Sequence, residues 1–403
     1  MDGTLRDGVV FVGGDARQRF YDSRGYGRPL APAEDGPPET WPVGGDAVAL
    51  APVEAAHLLY RDDLDAVVTA DGDDRLSFRR FFERMELGLR FVVYKDLRDR
   101  GFYLSPAVHV AGGSGGTDGD VAAGSDADAD TGVDTDPDPD THEDAAATDS
   151  MASTADSAVA TDAAADFVVY PRGEGPWGDA VEHRVHVLGE RRSVPAASLS
   201  GGVLAVVDED GDLTYFDTEW IAPSGPASDD PPTGVEGVLL EDRVTVWEPP
   251  TGLYDEGFYG QRLEGRDAET GPLQLSLVEA AHLARTGALT LSAETVLAHG
   301  REVEGERFDR RLAVYRALRE AGVVPKSGFK FGADFRTYES FDGVADMGHS
   351  ESLVRVVAPD HAFVPRDLSL DVRLAGGVRK RMVFALTDAR GDVDWLSVAR
   401  LTP

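Results

Sequence analysis

The chain contains no cysteine. Disulfides, thiol catalysis and cysteine-ligated zinc are thereby excluded. No apolar run approaches the ~20 residues of a membrane-spanning helix. The acidic start, Met1-Asp2-Gly3-Thr4-Leu5-Arg6-Asp7, lacks the apolar centre of a signal peptide, so the expectation is a soluble, cytoplasmic protein. Positive charge is also scarce. Lys and Arg total 39 against 73 Asp and Glu, a net charge of -34 and a pI near 4.5, and Arg far outnumbers Lys. An acidic surface with abundant Asp, Ala and Gly stays soluble where salt screens its self-repulsion, which points to a halophilic source.

What is present suffices for more than one domain: 403 residues, 42% of them hydrophobic. The acidity is unevenly spread. Residues 301–403 carry 17 Lys and Arg and 16 Asp and Glu, so the whole of the negative excess lies in residues 1–300. A polyanionic substrate is therefore admissible near the C-terminal end and disfavoured elsewhere. Residues 111–165 hold 14 acidic residues with no Lys or Arg and little apolar content, the composition of a solvated, disordered insertion.

The dominant pattern is an internal repeat. Val53-Glu54-Ala55-Ala56-His57-Leu58 recurs letter for letter as Val278-Glu279-Ala280-Ala281-His282-Leu283. The residues around Tyr94 recur around Tyr315, Ala165 to Tyr170 recur as Ala333 to Tyr338, and Asp208 aligns with Asp388. The offset is 225 at the first helix, 221 at the second and 168 beyond the acidic segment, which locates an insertion of about fifty residues between 101 and 165. The expected fold is α+β, with two tandem copies of a small helical/antiparallel N-terminal subdomain followed by a nuclease-like mixed-sheet C-terminal subdomain. The first copy spans 1–110 and 166–220. The acidic insertion takes 111–165, and 221–236, with four prolines, reads as a linker. The second copy covers 237–403, its N-terminal subdomain about 237–325 and its nuclease subdomain about 326–403. Helices are expected from Val53 and over 77–100, and a hairpin at Asp208-Glu209-Asp210-Gly211-Asp212.

A duplicated scaffold is an internal control: groups in both copies belong to the architecture, and groups in one copy are candidates for chemistry. His349 aligns with Ala180 and Lys380 with Ser200, whereas Tyr338 retains a counterpart in Tyr170. Singly, these read as a loop histidine, one more solvated charge between Arg379 and Arg381, and a strand aromatic. Together they suit phosphodiester cleavage through an internal 2′-hydroxyl, which needs a base, an acid and a cation at phosphorus. Histidine titrates near neutrality and suits the acid. A phenol can serve as base where a cation favours its phenolate.

Phe329-Lys330-Phe331-Gly332, Phe335-Arg336-Thr337-Tyr338, His349-Ser350 and Val378-Arg379-Lys380-Arg381-Met382 resemble the archaeal tRNA-splicing endonucleases, and the match extends over both repeats. The resemblance implies a tRNA-intron lyase that cuts precursor tRNA at a bulge-helix-bulge without metal or other cofactor, leaving 2′,3′-cyclic phosphate and 5′-hydroxyl ends. It assigns Tyr338 as base, His349 as acid and Lys380 as transition-state stabiliser. It places Arg373 and Trp395 on either side of a flipped-out bulge base. It makes Asp208, Glu209, Asp210 and Asp212 an acidic loop that docks on a second copy, in a homodimer. Two rival classes are a non-catalytic RNA-binding or assembly subunit and a metal-dependent DNA nuclease on a similar sheet.

Overall fold

A computed structural model describes residues 1–30, 46–107, 165–199, 201–265 and 268–403. The acidic stretch at 111–165, Ala165 apart, and Ser200 lie outside the described residues.

The first copy opens with β1 (Asp2–Arg6), β2 (Val9–Val12), β3 (Arg28–Pro29), β4 (Val48–Leu50), helix α1 (Pro52–Tyr60), β5 (Ala66–Thr69) and β6 (Arg75–Leu76). These strands form one sheet in the order β3-β4-β2-β1-β5-β6. Helices α2 (Phe78–Arg84) and α3 (Gly88–Asp99) follow. The continuous helix expected over 77–100 is thus two helices. The break falls where Glu86 takes φ 50° and Gly88 φ 38°, left-handed values that end a right-handed helix. Leu87, Phe91, Tyr94 and Leu97 nevertheless share the buried face. Strands β7 (Leu104–Pro106), β8 (Phe167–Val169), β9 (His183–Gly189), β10 (Val194–Pro195), β11 (Gly202–Val207) and β12 (Leu213–Ile221) complete the copy.

The second copy repeats this order with β13 (Val238–Leu239), β14 (Arg243–Val246), β15 (Gln261–Arg262), β16 (Leu273–Ser276) and helices α4 (Leu277–Arg285), α5 (Ala293–Glu304) and α6 (Arg307–Glu320). Its small sheet runs β13-β14-β16-β15, the counterpart of β1-β2-β4-β3. Strands β17 (Val324–Ser327), β18 (Phe335–Tyr338), β19 (Ser352–Val357) and β20 (Ala362–Phe363), helix α7 (Pro365–Gly377), and strands β21 (Arg381–Leu386) and β22 (Asp394–Leu401) follow.

The larger strands of both copies merge into one ten-stranded sheet, β17-β18-β19-β21-β22-β12-β11-β9-β8-β7, whose order is a palindrome of the two repeats. The seam is β12 against β22, antiparallel from Tyr215↔Leu401 to Ile221↔Trp395. Strand registers confirm the sequence alignment. Phe167 faces Val185 as Phe335 faces Val354, and Val185 pairs Val203 as Val354 pairs Val383. The Val203–Val383 offset is 180, so the spacing widens again after β9 and β19. In the second copy the 13-residue helix α7 crosses between the parallel strands, and in the first a single turn at Ala196–Ser198 does.

Strand alternation gives the sheet two buried faces. On one, each copy packs its own helices: Tyr94, Phe91 and Val93 of α3 over the first half, and Tyr315, Leu312 and Val314 of α6 over the second. On the other, Leu204, Val206 and Phe216 of the first copy share a core with Leu353, Phe384 and the inner side of α7. That shared core, with the seam, fixes the copies against each other. Residues 222–234 cross the second copy without regular structure but are pinned: Gly225 and Ala227 donate to Ala321 and Gly322. A Cβ on Gly225 would meet the Gly322 carbonyl oxygen at 2.4 Å, so this crossing needs glycine.

Candidate active site

The three proposed catalytic residues sit at the ends of adjacent strands. Tyr338 closes β18, His349 lies in the loop leading into β19, and Lys380 immediately precedes β21. Glu351 knots these ends together. Its N–H donates to the Thr337 carbonyl (2.9 Å), its carbonyl accepts from Arg381 N–H (3.0 Å), and its carboxylate accepts from Glu339 N–H (3.0 Å). The partners flank Tyr338 on both sides and abut Lys380. The carboxylate of Glu339 in turn accepts from the Ser352 hydroxyl at 2.6 Å. Parallel pairing of β19 with β21, Ser352 opposite Arg381, sets the register that makes this joint possible.

Lys380 bends back from α7, its N–H on the Ala375 carbonyl, and its ammonium donates to the carbonyl of Ser350, the residue after His349. Partial burial lowers the Lys380 pKa from 10.5; Glu351 pulls it upward and Arg336 adds to the fall. The imidazole of His349 is exposed. The phenol of Tyr338 is held from two sides. Its ring packs edge-on against Phe258 (5.7 Å between centroids), and its hydroxyl accepts from Arg336 Nε at 3.2 Å. Arg336 is anchored by its Nη1 on the Ser327 carbonyl. Beneath, Lys326 on β17 is buried with Glu279, donating to its carboxylate at 2.6 Å and to the carbonyls of Phe258 and Gly260. This ion pair ties β17 and the strands beside it to the N-terminal subdomain of the same copy.

Two of these residues were not among the candidates drawn from sequence. Arg336 could have been found by the duplication, since it aligns with Val168. Glu351 could not: it aligns with Glu182, whose N–H makes the same bond to Val169. What differs is the partner. Glu339 aligns with Pro171, which has no N–H to offer a carboxylate. In the first copy the Tyr170 hydroxyl donates to Ser105, the counterpart of Lys326.

The remaining predicted residues are placed differently. Arg373 is exposed on α7, which covers the shared-core face of the sheet. Trp395 is 8% exposed and packs on the opposite face with Val383 and Ala385. Helix α7 thus covers one face of the sheet and the Trp395 ring packs on the other. The Trp395 ring lines a cavity of about 170 Å³ whose other walls include Thr337, Glu339, Ser352 and Arg381, directly under the Glu351 joint. The Asp208 hairpin is exposed. Asp208 Oδ1 accepts from Asp210 and Asp212 N–H, with Gly211 at φ 85°. Asp388 likewise accepts N–H bonds from its turn, but from Arg390 and Gly391, and there Ala389 takes φ 71°; the tip is Ala389 and Arg390 in place of Glu209 and Asp210. Among the described residues no group of three His, Asp or Glu side chains is placed to hold a metal, and no helix is long and apolar enough to cross a membrane.

Comparison with known proteins finds two family models along the chain. The model of the tRNA intron endonuclease N-terminal domain matches twice, at residues 1–82 and 235–299. That of the tRNA intron endonuclease catalytic C-terminal domain matches 308–395, the segment holding Tyr338, His349 and Lys380. A tRNA-splicing endonuclease of Haloferax volcanii is 56% identical over 403 residues, covering all of both chains. That of Natronomonas pharaonis is 48% identical, again over the full length of both, and that of Methanosarcina mazei is 32% identical over 98% of each. The chain belongs to the tRNA intron endonuclease family.

Proposed function

We propose that the protein is an RNA endonuclease that excises introns from precursor tRNA, cutting at bulge-helix-bulge junctions. Tyr338 takes the proton of the 2′-hydroxyl at the cleavage site, and the 2′-oxygen bonds to the adjacent phosphorus. The bond from phosphorus to the 5′-oxygen breaks, His349 gives that oxygen a proton, and the products carry a 2′,3′-cyclic phosphate and a 5′-hydroxyl. Lys380, held at the Ser350 carbonyl, neutralises the negative charge that grows on the phosphoryl oxygens. Arg336 donates to the phenol oxygen and fixes its position. Arg373, exposed on α7, contacts the RNA. The observation that carries this reading is the Glu351 joint, which gathers the ends of β18, β19 and β21 where the three groups reside. The near-neutral charge of residues 301–403 suits a polyanion.

We further propose that two chains associate, each offering the Asp208–Asp212 hairpin to the other, so that two sites serve the two junctions of one intron. The test is incubation with a bulge-helix-bulge RNA in excess chelator at high salt, followed by end-group analysis. Cyclic phosphate and 5′-hydroxyl ends are expected. Ends bearing 5′-phosphate, or activity abolished by chelator, overturn the mechanism. Cleavage that survives both His349→Ala and Lys380→Ala assigns the chemistry elsewhere.

A further inference from the structure

The small subdomains of the two copies build the same cradle and fill it differently. In the second copy Tyr259 and His282 stand side by side, rings stacked at 6.0 Å, and both bind Asp229 of the crossing segment. The Tyr259 hydroxyl donates to its carboxylate at 2.5 Å, and His282 Nε2 lies 3.2 Å away. Strand register equates Tyr259 with Tyr26, since Arg28 and Pro29 pair with β4 as Gln261 and Arg262 pair with β16. The glycine after each tyrosine, Gly27 and Gly260, donates to Glu54 and Glu279 alike. His57 matches His282, and Arg98 matches Arg319.

In the first copy no carboxylate among the described residues binds Tyr26 or His57. Instead Tyr26 hydrogen-bonds to His57 Nδ1 at 2.8 Å, at the floor of an open cleft of about 220 Å³ walled by Arg24, Arg61, Arg98 and Tyr103. Arg98 keeps the place of Arg319: each guanidinium lies over the matched tyrosine, and each donates to the matched carbonyl, that of Arg24 or Gly257. Arg319 also donates to the Tyr315 hydroxyl, whereas the Tyr94 hydroxyl is buried with no hydrogen-bond partner among the described residues. The Arg98 guanidinium lies 3.8 Å over the Tyr26 ring. Asp63 binds Arg24 and Arg61 and offsets one of the three charges. The cleft remains cationic in a chain of net charge -34. Beside it, on the loop that aligns with the His349 loop, Trp177 is 51% exposed and rests edge-on against Tyr103 (5.5 Å) and Tyr21 (6.0 Å). A cationic cleft that the twin fills with an oxyanion, next to a braced exposed indole, matches one nucleotide: phosphate in the cleft, unpaired base on the ring.

We propose that the cleft of the first copy is a phosphate site for the RNA substrate, with Trp177 as the stacking platform for an adjoining base. The copy without catalytic groups then contributes to substrate binding. This rests on the reading of the protein as an RNA endonuclease. The chemistry fits a phosphodiester better than a second protein's carboxylate, because a protein side chain would leave the indole without a role.

The test uses full-length protein carrying His349→Ala, so that RNA is bound and not cut, and a labelled bulge-helix-bulge precursor tRNA. Binding is measured over a salt series. Arg24→Glu with Arg61→Glu, at the exposed mouth, is expected to weaken binding about tenfold or more and reduce the salt slope by about one. Trp177→Ala is expected to weaken binding several-fold with the slope unchanged. The control, Arg79→Glu with Arg80→Glu on α2, makes the same charge change on the same copy, both side chains exposed. Equal losses in mouth and control variants overturn the site in favour of a general field effect. Unchanged affinity with a loss of self-association in sedimentation overturns it in favour of a protein carboxylate. Wild-type chain that cleaves the RNA while both site variants bind like the parent refutes this inference alone. Wild-type chain that neither binds nor cleaves refutes it together with the proposed function.

Discussion

Arg336 reaches across two residues of one strand and donates from Nε to the hydroxyl of Tyr338 at 3.2 Å, on the same face of β18. A strand places residues i and i+2 on one side, so the contact is built in by the sequence Arg336-Thr337-Tyr338 once it is extended. The first copy has Val168 at the same step, and Tyr170 turns to Ser105. Arg336→Ala is expected to slow single-turnover cleavage at saturating RNA by about 10- to 100-fold, the scale of one charge-assisted hydrogen bond. Arg336→Lys should recover part of the rate. A loss in RNA affinity with the cleavage rate unchanged would make Arg336 a substrate contact and remove it from the support of the phenol.

The copies were legible in the sequence because Val-Glu-Ala-Ala-His-Leu and the Asp-turn hairpin depend on local chemistry that leaves a local trace. Buried Glu54 and Glu279 each cap their helix start and bind a glycine N–H, so the surrounding letters are constrained. The α2–α3 break was not legible, because Glu86 adopts a left-handed conformation that nothing in its side chain announces. The Glu351 joint was hidden for another reason. Both copies carry a glutamate there, and the difference lies in whether residue 339 or 171 has an N–H. The opposed faces of Arg373 and Trp395 follow from strand alternation and from the crossover helix α7. No offset of the repeat shows which side of the sheet that helix covers.

That opposition separates two variants. Arg373 is exposed, so Arg373→Ala should leave thermal stability within about 0.5 kcal/mol while lowering RNA affinity. Trp395 is buried under the Glu351 joint, so Trp395→Ala should cost about 3–5 kcal/mol in unfolding free energy. Chemical denaturation of both variants beside an RNA-binding assay decides. If Trp395→Ala keeps full stability and loses RNA binding, the ring is a base-stacking surface after all.

The hairpin at Asp208 can be altered without unfolding it. Asp208 accepts the N–H bonds that shape the turn, whereas Glu209 and Asp210 project charge. Glu209→Ala with Asp210→Arg leaves the Asp208 carboxylate and the backbone N–H groups it accepts from in place and removes the acidity of the tip. Sedimentation at high salt is expected to show a shift from dimer toward monomer, with cleavage per chain falling in parallel. A variant that sediments as the wild type would place the contact between chains elsewhere.

His57 supplies a pH signature specific to the first copy. Burial, then the charges of Arg98 and Arg61, hold its pKa at about 4, below the ordinary 6.5. A depressed pKa means that the unfolded chain binds the proton more readily, so the contribution is fully present above pH 6.5. It is lost as pH falls through the folded value near 4. Since part of the group is near solvent, the loss across that window is on the order of 2 kcal/mol or less. Melting temperatures measured between pH 7 and pH 4 should therefore fall less steeply for His57→Asn than for the wild type, since the titrations of all other groups are common to both chains. A cleft that binds phosphate sharpens the test. Bound phosphate places negative charge beside the imidazole and favours its protonated form, so added inorganic phosphate should flatten the wild-type slope and leave the variant's unchanged. Parallel slopes for the two chains would show that His57 does not titrate in this window.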